Sequence, residues 1–208
     1  MSDWTLDPHV TLCFGAQRSG KTSFCIRYLL NVPAAAVFVF DDRGQVERRL
    51  GLRPATTERE CHEALAQRWV VFNPARMWPP EKLQDAFGWF CKWVLDVSRT
   101  GPGKKVLFVD EAWQFLDART APQELENIVR TGRAEDLELM MATHRPSEYP
   151  RNVRALVTEW VCFNTVDEND LEAVRPYFAG VDACATLPKG QFISYNRESG
   201  ASLAGKLF

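Results

Sequence analysis

A glycine-rich stretch near the start of the sequence has the residue types that bind a chain of phosphates. Residues 15–22 read GAQRSGKT, which matches the spacing G-x-x-x-x-G-K-[ST]. Its two glycines allow backbone angles that side chains forbid, so several backbone N–H groups can point at one phosphate group. Lys21 would reach the β- and γ-phosphates of ATP, and the hydroxyl of Thr22 would hold Mg²⁺. The predicted nucleotide-binding residues are Gly15, Ala16, Gln17, Arg18, Ser19, Gly20, Lys21, Thr22 and Ser23.

Two adjacent acidic residues could complete this chemistry. Asp110 and Glu111 directly follow the apolar run VLFV. A carboxylate beside the phosphates can hold Mg²⁺, and a second can take a proton from an attacking water. A metal-bound carboxylate is a poor base, so the presence of two indicates hydrolysis rather than binding alone. We expect Asp110 to share the metal with Thr22, and Glu111 to act as the base.

A parallel sheet would bring these residues together. Uniformly apolar runs alternate with helical stretches, which predicts an α/β fold with helices on both faces of a mainly parallel sheet. In such a sheet, ligands bind beyond the carboxyl ends of the strands, where these polar residues lie. Strands are predicted at 10–14, 34–40, 69–72, 106–109, 139–143 and 161–164, and helices at 21–30, 57–67, 79–97, 122–131, 153–160 and 167–178. Residues 1–208 are predicted to form one domain that ends in a β-hairpin at about 190–208.

The composition excludes several classes of protein. Apolar residues make up 46% and charged residues 25%, which excludes a disordered, collagen-like or low-complexity chain. The chain has 25 basic and 27 acidic residues, for a net charge of −2. A nucleic-acid interface would therefore need a local concentration of positive charge, or charge assembled between subunits.

Targeting signals and cysteine usage indicate the compartment. The first residues carry no basic segment typical of a signal peptide, and no apolar run is long enough to span a bilayer. The six cysteines include no C-x-x-C pair and mostly lie in apolar stretches, which favours free buried thiols in a reducing environment. We therefore expect a protein of the cytoplasm, without direct membrane insertion.

A third stretch, GRAEDLELMMATHRPS at residues 132–147, is more specific than the other two. Together with GAQRSGKT and VLFVDEAW in the same order, it resembles the FtsK–HerA superfamily of P-loop ATPases, whose members pump DNA. The resemblance extends over most of the chain. It implies a RecA-like (ASCE) P-loop NTPase fold and hydrolysis of ATP with Mg²⁺.

The resemblance also implies roles for two further residues. Arg133 matches the arginine that these ATPases insert into the neighbouring subunit's site, and the nearby Arg130 is an alternative. Thr143 and His144 match the end of the sensor strand, near the γ-phosphate. The family usually has glutamine at the position of His144, so the chain departs from the pattern there. The predicted catalytic residues are Lys21, Glu111, Arg133 and His144.

The length of the chain leaves room only for the ATPase core and a terminal hairpin. In this it is similar to the genome-packaging ATPases of membrane-containing icosahedral viruses. The resemblance implies a hexameric or pentameric ring of identical subunits that moves double-stranded DNA into a capsid. Viral capsid or portal-vertex proteins would be its partners, in the host cytoplasm or on the virion.

Several alternatives remain open at this stage. The chain could be another DNA-pumping or phage-assembly ATPase of the superfamily, a small P-loop kinase, or an assembly factor gated by nucleotide. Asp41 and Asp42 also follow a strand and could form a second acidic group or a solvated loop. Arg18 could contact phosphate, a neighbouring subunit or solvent. Five basic residues could either contact DNA or lie on a solvated surface: Arg99, Lys104, Lys105, Arg151 and Arg154. Trp89 and Trp93 are interpreted as packing residues.

Overall fold

The sheet of the computed structural model is mainly parallel. The model describes residues 10–116 and 120–207. Its strands are β1 (Val10–Phe14), β2 (Ala36–Phe40), β3 (Trp69–Phe72), β4 (Lys105–Asp110), β5 (Leu137–Thr143), β6 (Glu159–Phe163), β7 (Gln191–Asn196) and β8 (Ser202–Lys206). They form one sheet in the order β3-β2-β4-β5-β1-β6-β7-β8. β1 pairs in parallel with β6, and β2 with β3, whereas β7 pairs antiparallel with β6 and β8. The predicted fold class and C-terminal hairpin are confirmed.

The helices lie between the strands, as the alternating pattern predicts. They are α1 (Lys21–Asn31), α2 (Gln45–Leu50), α3 (Glu58–Leu65), α4 (Leu83–Thr100), α5 (Gln123–Thr131), α6 (Arg151–Leu156) and α7 (Glu168–Val174). Helix α3 begins with the predicted capping box, in which the Thr57 hydroxyl accepts from the Glu60 N–H and the Glu60 carboxylate accepts from the Thr57 N–H. No helix in the described residues is long and apolar enough to cross a membrane.

The described residues group into two compact units. The first contains Pro33–Phe108 and Gln123–Leu139, and the second contains Val10–Val32, 109–116, 120–122 and 140–207. Each unit has its own buried apolar core. The assignment of 1–208 to one domain stays a prediction.

Aromatic rings from β2, β3 and α4 fill the core of the first unit. Phe72 stacks on Phe90 with ring centroids 4.9 Å apart, and Phe38 meets the edge of Trp93 at 5.7 Å. Trp93 is buried and its ring stacks against Trp89. The two tryptophans therefore pack within the protein, as interpreted from the sequence.

The acidic residue after β2 caps a helix that the sequence analysis did not predict. Asp41 is only 2% exposed, and its carboxylate accepts hydrogen bonds from the backbone N–H groups of Gln45, Val46 and Glu47. These are the first residues of α2, whose N–H groups have no partner within the helix. Asp41 therefore does not lie in a solvated loop, and its carboxylate caps α2 instead of forming a second acidic group at the site.

Lys104, just before β4, and Lys105, its first residue, form contacts within the protein. Lys105 is 4% exposed, and its Nζ donates to the carbonyl oxygens of Ser98 at 2.9 Å and Glu135 at 3.1 Å. Burial lowers its pKa. Lys104 forms an ion pair of 2.8 Å with Glu138, whose side chain is fully buried. Lys105 is therefore neither a solvated residue nor available to bind DNA.

The predicted boundary between α6 and β6, in the second unit, is wrong. The helix predicted at 153–160 is α6, which ends at Leu156, and Trp160 lies in β6. Trp160 is fully buried and packs edge-on against Phe14 of β1, with ring centroids 6.0 Å apart. A short apolar run is compatible with either a strand or a buried helix, and the pairing with β1 decides for the strand.

All six cysteines are free and buried. Burial raises the pKa of the Cys61 thiol to about 12. Burial likewise raises the pKa of the Cys25 thiol, and hydrogen bonding to Cys13 adds to the effect. The prediction of free buried thiols is confirmed.

Candidate functional site

The glycine-rich loop connects β1 to α1 within the second unit. Gly15 and Gly20 adopt φ angles of +148° and +123°, which side chains rarely adopt. A Cβ atom on Gly15 would lie 2.7 Å from Cβ of Phe163, and one on Gly20 would lie 2.7 Å from Cδ1 of Leu207. Both positions therefore require glycine for conformation, and Gly15 also requires it for space, because backbone atoms of Phe163 and Asn164 lie within 3.2 Å of that Cβ atom.

The loop is supported by β6 and by the C-terminal hairpin. The Ala16 N–H donates to the Asn164 carbonyl at 2.7 Å, directly after β6. The Gly190 N–H, before β7, donates to the Ser19 carbonyl at 3.1 Å, and the Leu207 N–H donates to the Gly190 carbonyl at 3.0 Å. The sequence analysis missed this support, for which the sequence holds no local signal.

Lys21 is the first residue of α1 and is held inside the loop. It is 5% exposed, and its Nζ donates to the carbonyl oxygens of Gly15 at 2.8 Å and Ala16 at 3.0 Å. The ammonium group thus lies against the backbone of the glycine-rich loop. The loop contains further backbone N–H groups and the start of α1, which favour an anion.

Thr22 and Asp110 meet although they are 88 residues apart in the sequence. The Thr22 hydroxyl donates to Oδ2 of Asp110 at 3.2 Å, and Asp110 is 8% exposed. Hydroxyl and carboxylate oxygens are the ligands that Mg²⁺ prefers, and this ion usually completes its shell with phosphate oxygens and water. No group of three or more His, Cys, Asp or Glu side chains that could hold a metal occurs among residues 10–116 and 120–207. The oxygen pair fits a metal that arrives with its nucleotide.

Glu111 lies next to this pair in a strained conformation. Its φ of +52° and ψ of +42° place it in the left-handed region, which is unfavourable for a non-glycine residue. Its Oε2 atom accepts hydrogen bonds from Nε1 of Trp113 at 2.9 Å and from Nδ1 of His144 at 2.8 Å. The backbone N–H of His144 donates to the same oxygen at 3.3 Å. The structure therefore brings together Glu111 and His144, as predicted, and adds Trp113.

Buried polar groups surround the end of β5. The Thr143 hydroxyl accepts from the Arg145 N–H at 3.0 Å. Tyr149 is 1% exposed; burial raises its pKa, and the negative charge of Glu111 raises it further.

The ring of Trp113 meets the edge of His144 with centroids 5.6 Å apart, and the Arg145 guanidinium lies 6.0 Å from the Trp113 ring centroid. Trp113 is the residue of this cluster that the motifs did not single out, although it lies within VLFVDEAW.

A cavity adjoins the glycine-rich loop. It has a volume of about 290 Å³ and is open to solvent. Its lining residues are Ala16, Gln17, Arg18, Ser19, Asn164, Leu187 and Lys189.

The two candidate arginines for action between subunits lie in the first unit. Arg130 is in the last turn of α5, and Arg133 is in the short 3₁₀ helix Gly132–Glu135 that follows. Both side chains are exposed. The role of either residue in a neighbouring site stays a prediction.

Comparisons with known proteins agree on the fold. No protein-family model matches the sequence, and no curated protein matches it. The genome packaging NTPase B204 of Sulfolobus turreted icosahedral virus 2, in complex with AMP, matches with a TM-score of 0.74 and 19% identity over 98% of this chain and 99% of that chain. The DNA-packaging ATPase B204 of Sulfolobus turreted icosahedral virus matches with a TM-score of 0.69 and 21% identity over 97% and 99% of the two chains. VirB4 of Thermoanaerobacter pseudethanolicus matches with a TM-score of 0.67 and 14% identity over 96% and 89%. The chain therefore has the fold of these proteins, as the resemblance implied.

Proposed function

We propose that the chain is an ATPase that uses a magnesium-bound nucleotide. The observation that carries the proposal is the meeting of the Thr22 hydroxyl with the Asp110 carboxylate at 3.2 Å, directly beside the loop that holds Lys21. Burying charged groups costs free energy, so a surface turn of chance composition would not be expected to bury a lysine and a carboxylate together. The fold shared with packaging NTPases supports the same activity.

The residues of the site divide the work of hydrolysis between them. Backbone N–H groups of the loop and the Lys21 ammonium bind the β- and γ-phosphates and offset their charge. Thr22 and Asp110 would hold Mg²⁺, which would supply positive charge to offset the charge on the transferring phosphoryl group. The Glu111 carboxylate accepts a proton from the water that attacks the γ-phosphorus, so that ADP and phosphate form.

The nucleoside half of ATP extends into the cavity beside the loop. Its wall combines the apolar Leu187 with the long stem of Lys189, which suits the faces of a base and a ribose.

We propose further that hydrolysis drives double-stranded DNA through a ring of subunits during genome packaging. Similarity along 98% of the chain to a viral genome packaging NTPase supports this, and so does the GR…THRP stretch. A pentamer or hexamer would let Arg133 of one subunit reach the nucleotide of the next, where a guanidinium stabilises the transition state by about 10³–10⁵-fold in rate. Capsid or portal-vertex proteins would anchor the ring.

The test is the rate of ATP hydrolysis with and without double-stranded DNA, measured together with molar mass by light scattering. A packaging motor hydrolyses ATP as a multimer and is stimulated by DNA, whereas Glu111→Gln binds ATP and does not turn it over. Hydrolysis that responds to a small-molecule acceptor and not to DNA indicates the kinase alternative. Nucleotide binding with negligible turnover, unchanged by Glu111→Gln, indicates the assembly factor.

A further inference from the structure

One carboxylate oxygen of Glu111 accepts all the hydrogen bonds described for that side chain. Oε2 accepts from the Trp113 indole, from Nδ1 of His144 and from the His144 backbone N–H, at 2.9, 2.8 and 3.3 Å. An ionised carboxylate can only accept, so Nδ1 of His144 carries the proton in this contact. Anchoring Oε2 by two side chains and one backbone group fixes the plane of the carboxylate. It therefore also fixes the direction of the other oxygen, Oε1.

The groups that hold Oε2 are themselves held. The Glu111 carbonyl accepts from the backbone N–H and from the side-chain amide of Gln114, both at 3.2 Å, which fixes the turn that carries Trp113. The Trp113 ring makes a T-shaped contact with the His144 ring, and the Arg145 guanidinium lies over the Trp113 ring. His144 follows β5 directly, so its backbone position is set by the sheet. Such an arrangement orients a reactive group and has little freedom to follow a ligand.

The geometry points to Trp113 and His144 as positioning residues that orient Glu111 for proton abstraction. This rests on the proposed ATPase function. It differs from the role implied by the family resemblance, in which the residue at His144 senses the γ-phosphate directly. Here Nδ1 and the backbone N–H of His144 are committed to Glu111, and Trp113 supplies a third donor. Both residues act on hydrolysis through Glu111.

The test compares substitutions that remove a donor with substitutions that keep one. Trp113→Phe removes the indole N–H and keeps a ring, and His144→Leu removes the Nδ1 donor. His144→Asn keeps an N–H donor at the position of Nδ1. Hydrogen bonds to charged groups are stronger than those between neutral groups. We therefore expect each donor-removing variant to lower kcat about tenfold or more, with KM for ATP changed less than twofold. His144→Asn should recover most of the loss.

A matched control separates positioning from general packing. Trp93 donates its indole N–H to His62 at 3.2 Å within the first unit, so Trp93→Phe likewise removes one indole N–H donor, but one that does not donate to Glu111. Its kcat should stay within twofold of the unsubstituted protein. Thermal unfolding and the affinity for a non-hydrolysable ATP analogue are measured for every variant. If Trp113→Phe does not fold, the pair His144→Leu and His144→Asn decides the question alone.

A second readout identifies the residue through which the effect acts. In a Glu111→Gln background the base is absent, so Trp113→Phe and His144→Leu should change the residual rate less than twofold. Equal losses in both backgrounds, or an increase of KM at unchanged kcat, would overturn the inference and favour direct contact with phosphate. Unaltered kcat in both donor-removing variants would also overturn it. Failure of the proposed function looks different, because the unsubstituted protein would then hydrolyse no ATP.

Discussion

Substituting Gly20 tests whether the C-terminal hairpin packs on the glycine-rich loop. A Cβ atom at Gly20 would lie 2.7 Å from Cδ1 of Leu207 and 3.1 Å from Cε1 of Phe163, at a φ of +123°. The unfavourable backbone angle costs about 1–3 kcal/mol, and forcing a methyl group into an occupied space costs about another 1–3 kcal/mol. Gly20→Ala should therefore lower the free energy of unfolding by about 2–6 kcal/mol.

Gly51→Ala is the matched control for the backbone contribution. Gly51 has a φ of +63°, and no described atom lies within 4 Å of a Cβ built there. Its substitution should cost only the left-handed conformation, about 1–2 kcal/mol. The double variant Gly20→Ala/Leu207→Ala, compared with Leu207→Ala alone, should recover the steric part of the loss because the obstructing Cδ1 atom is gone.

Urea unfolding and the affinity for a non-hydrolysable ATP analogue provide the measurements. Because a side chain at a φ of +123° strains the backbone of the glycine-rich loop, Gly20→Ala should weaken the analogue at least tenfold, or about 1.4 kcal/mol, whereas Gly51→Ala should not. The reasoning is refuted if Gly20→Ala is no more destabilising than Gly51→Ala. It is also refuted if Leu207→Ala gives no recovery.

Three further predictions concern other residues. Asp110→Asn should raise the Mg²⁺ concentration needed for half-maximal ATPase activity about tenfold or more, seen by metal titration, because a neutral amide is a poorer ligand than a carboxylate. Asp41→Ala should lower the free energy of unfolding by about 1–2 kcal/mol through loss of the α2 cap, whereas Asp42→Ala should change it little in the same urea titration. Hydrogen bonds from the backbone and side chain of Thr56 lower the pKa of Glu60 below its ordinary value of 4.5. Its stabilising contribution is therefore complete above pH 4.5 and is lost as the pH falls through the lowered pKa, and Glu60→Gln should flatten that part of the stability profile.

Local patterns predicted the elements that carry the site. The bounds of β1 and β3 agree with the prediction because each is a short apolar run ended by a turn signal, Gly15 or Asn73. The meeting of Thr22 and Asp110 was predicted because both follow strands of one parallel sheet, and such sheets present their carboxyl ends together. Motif spacing and the alternation of apolar runs with helical stretches were sufficient for this part of the site.

Interactions between distant segments were not predictable in the same way. The six-residue helix α2 depends on three backbone bonds to the Asp41 carboxylate, and a helix this short has little periodicity of its own. The support of the loop by Asn164, Gly190 and Leu207 comes from residues more than 140 positions away, with no motif to identify them. The hydrogen bond from Trp113 to Glu111 depends on the left-handed conformation of Glu111, which no sequence pattern predicts.

We propose that Glu111 activates water beside a nucleotide held by Lys21, Thr22 and Asp110. Single-turnover hydrolysis of ATP with Mg²⁺ by the unsubstituted protein and by Glu111→Gln, with ATP affinity measured in parallel, tests this role of Glu111. We expect Glu111→Gln to bind ATP about as tightly and to cleave it at least 100-fold more slowly, the scale of a general base. Cleavage at an undiminished rate by Glu111→Gln would contradict it.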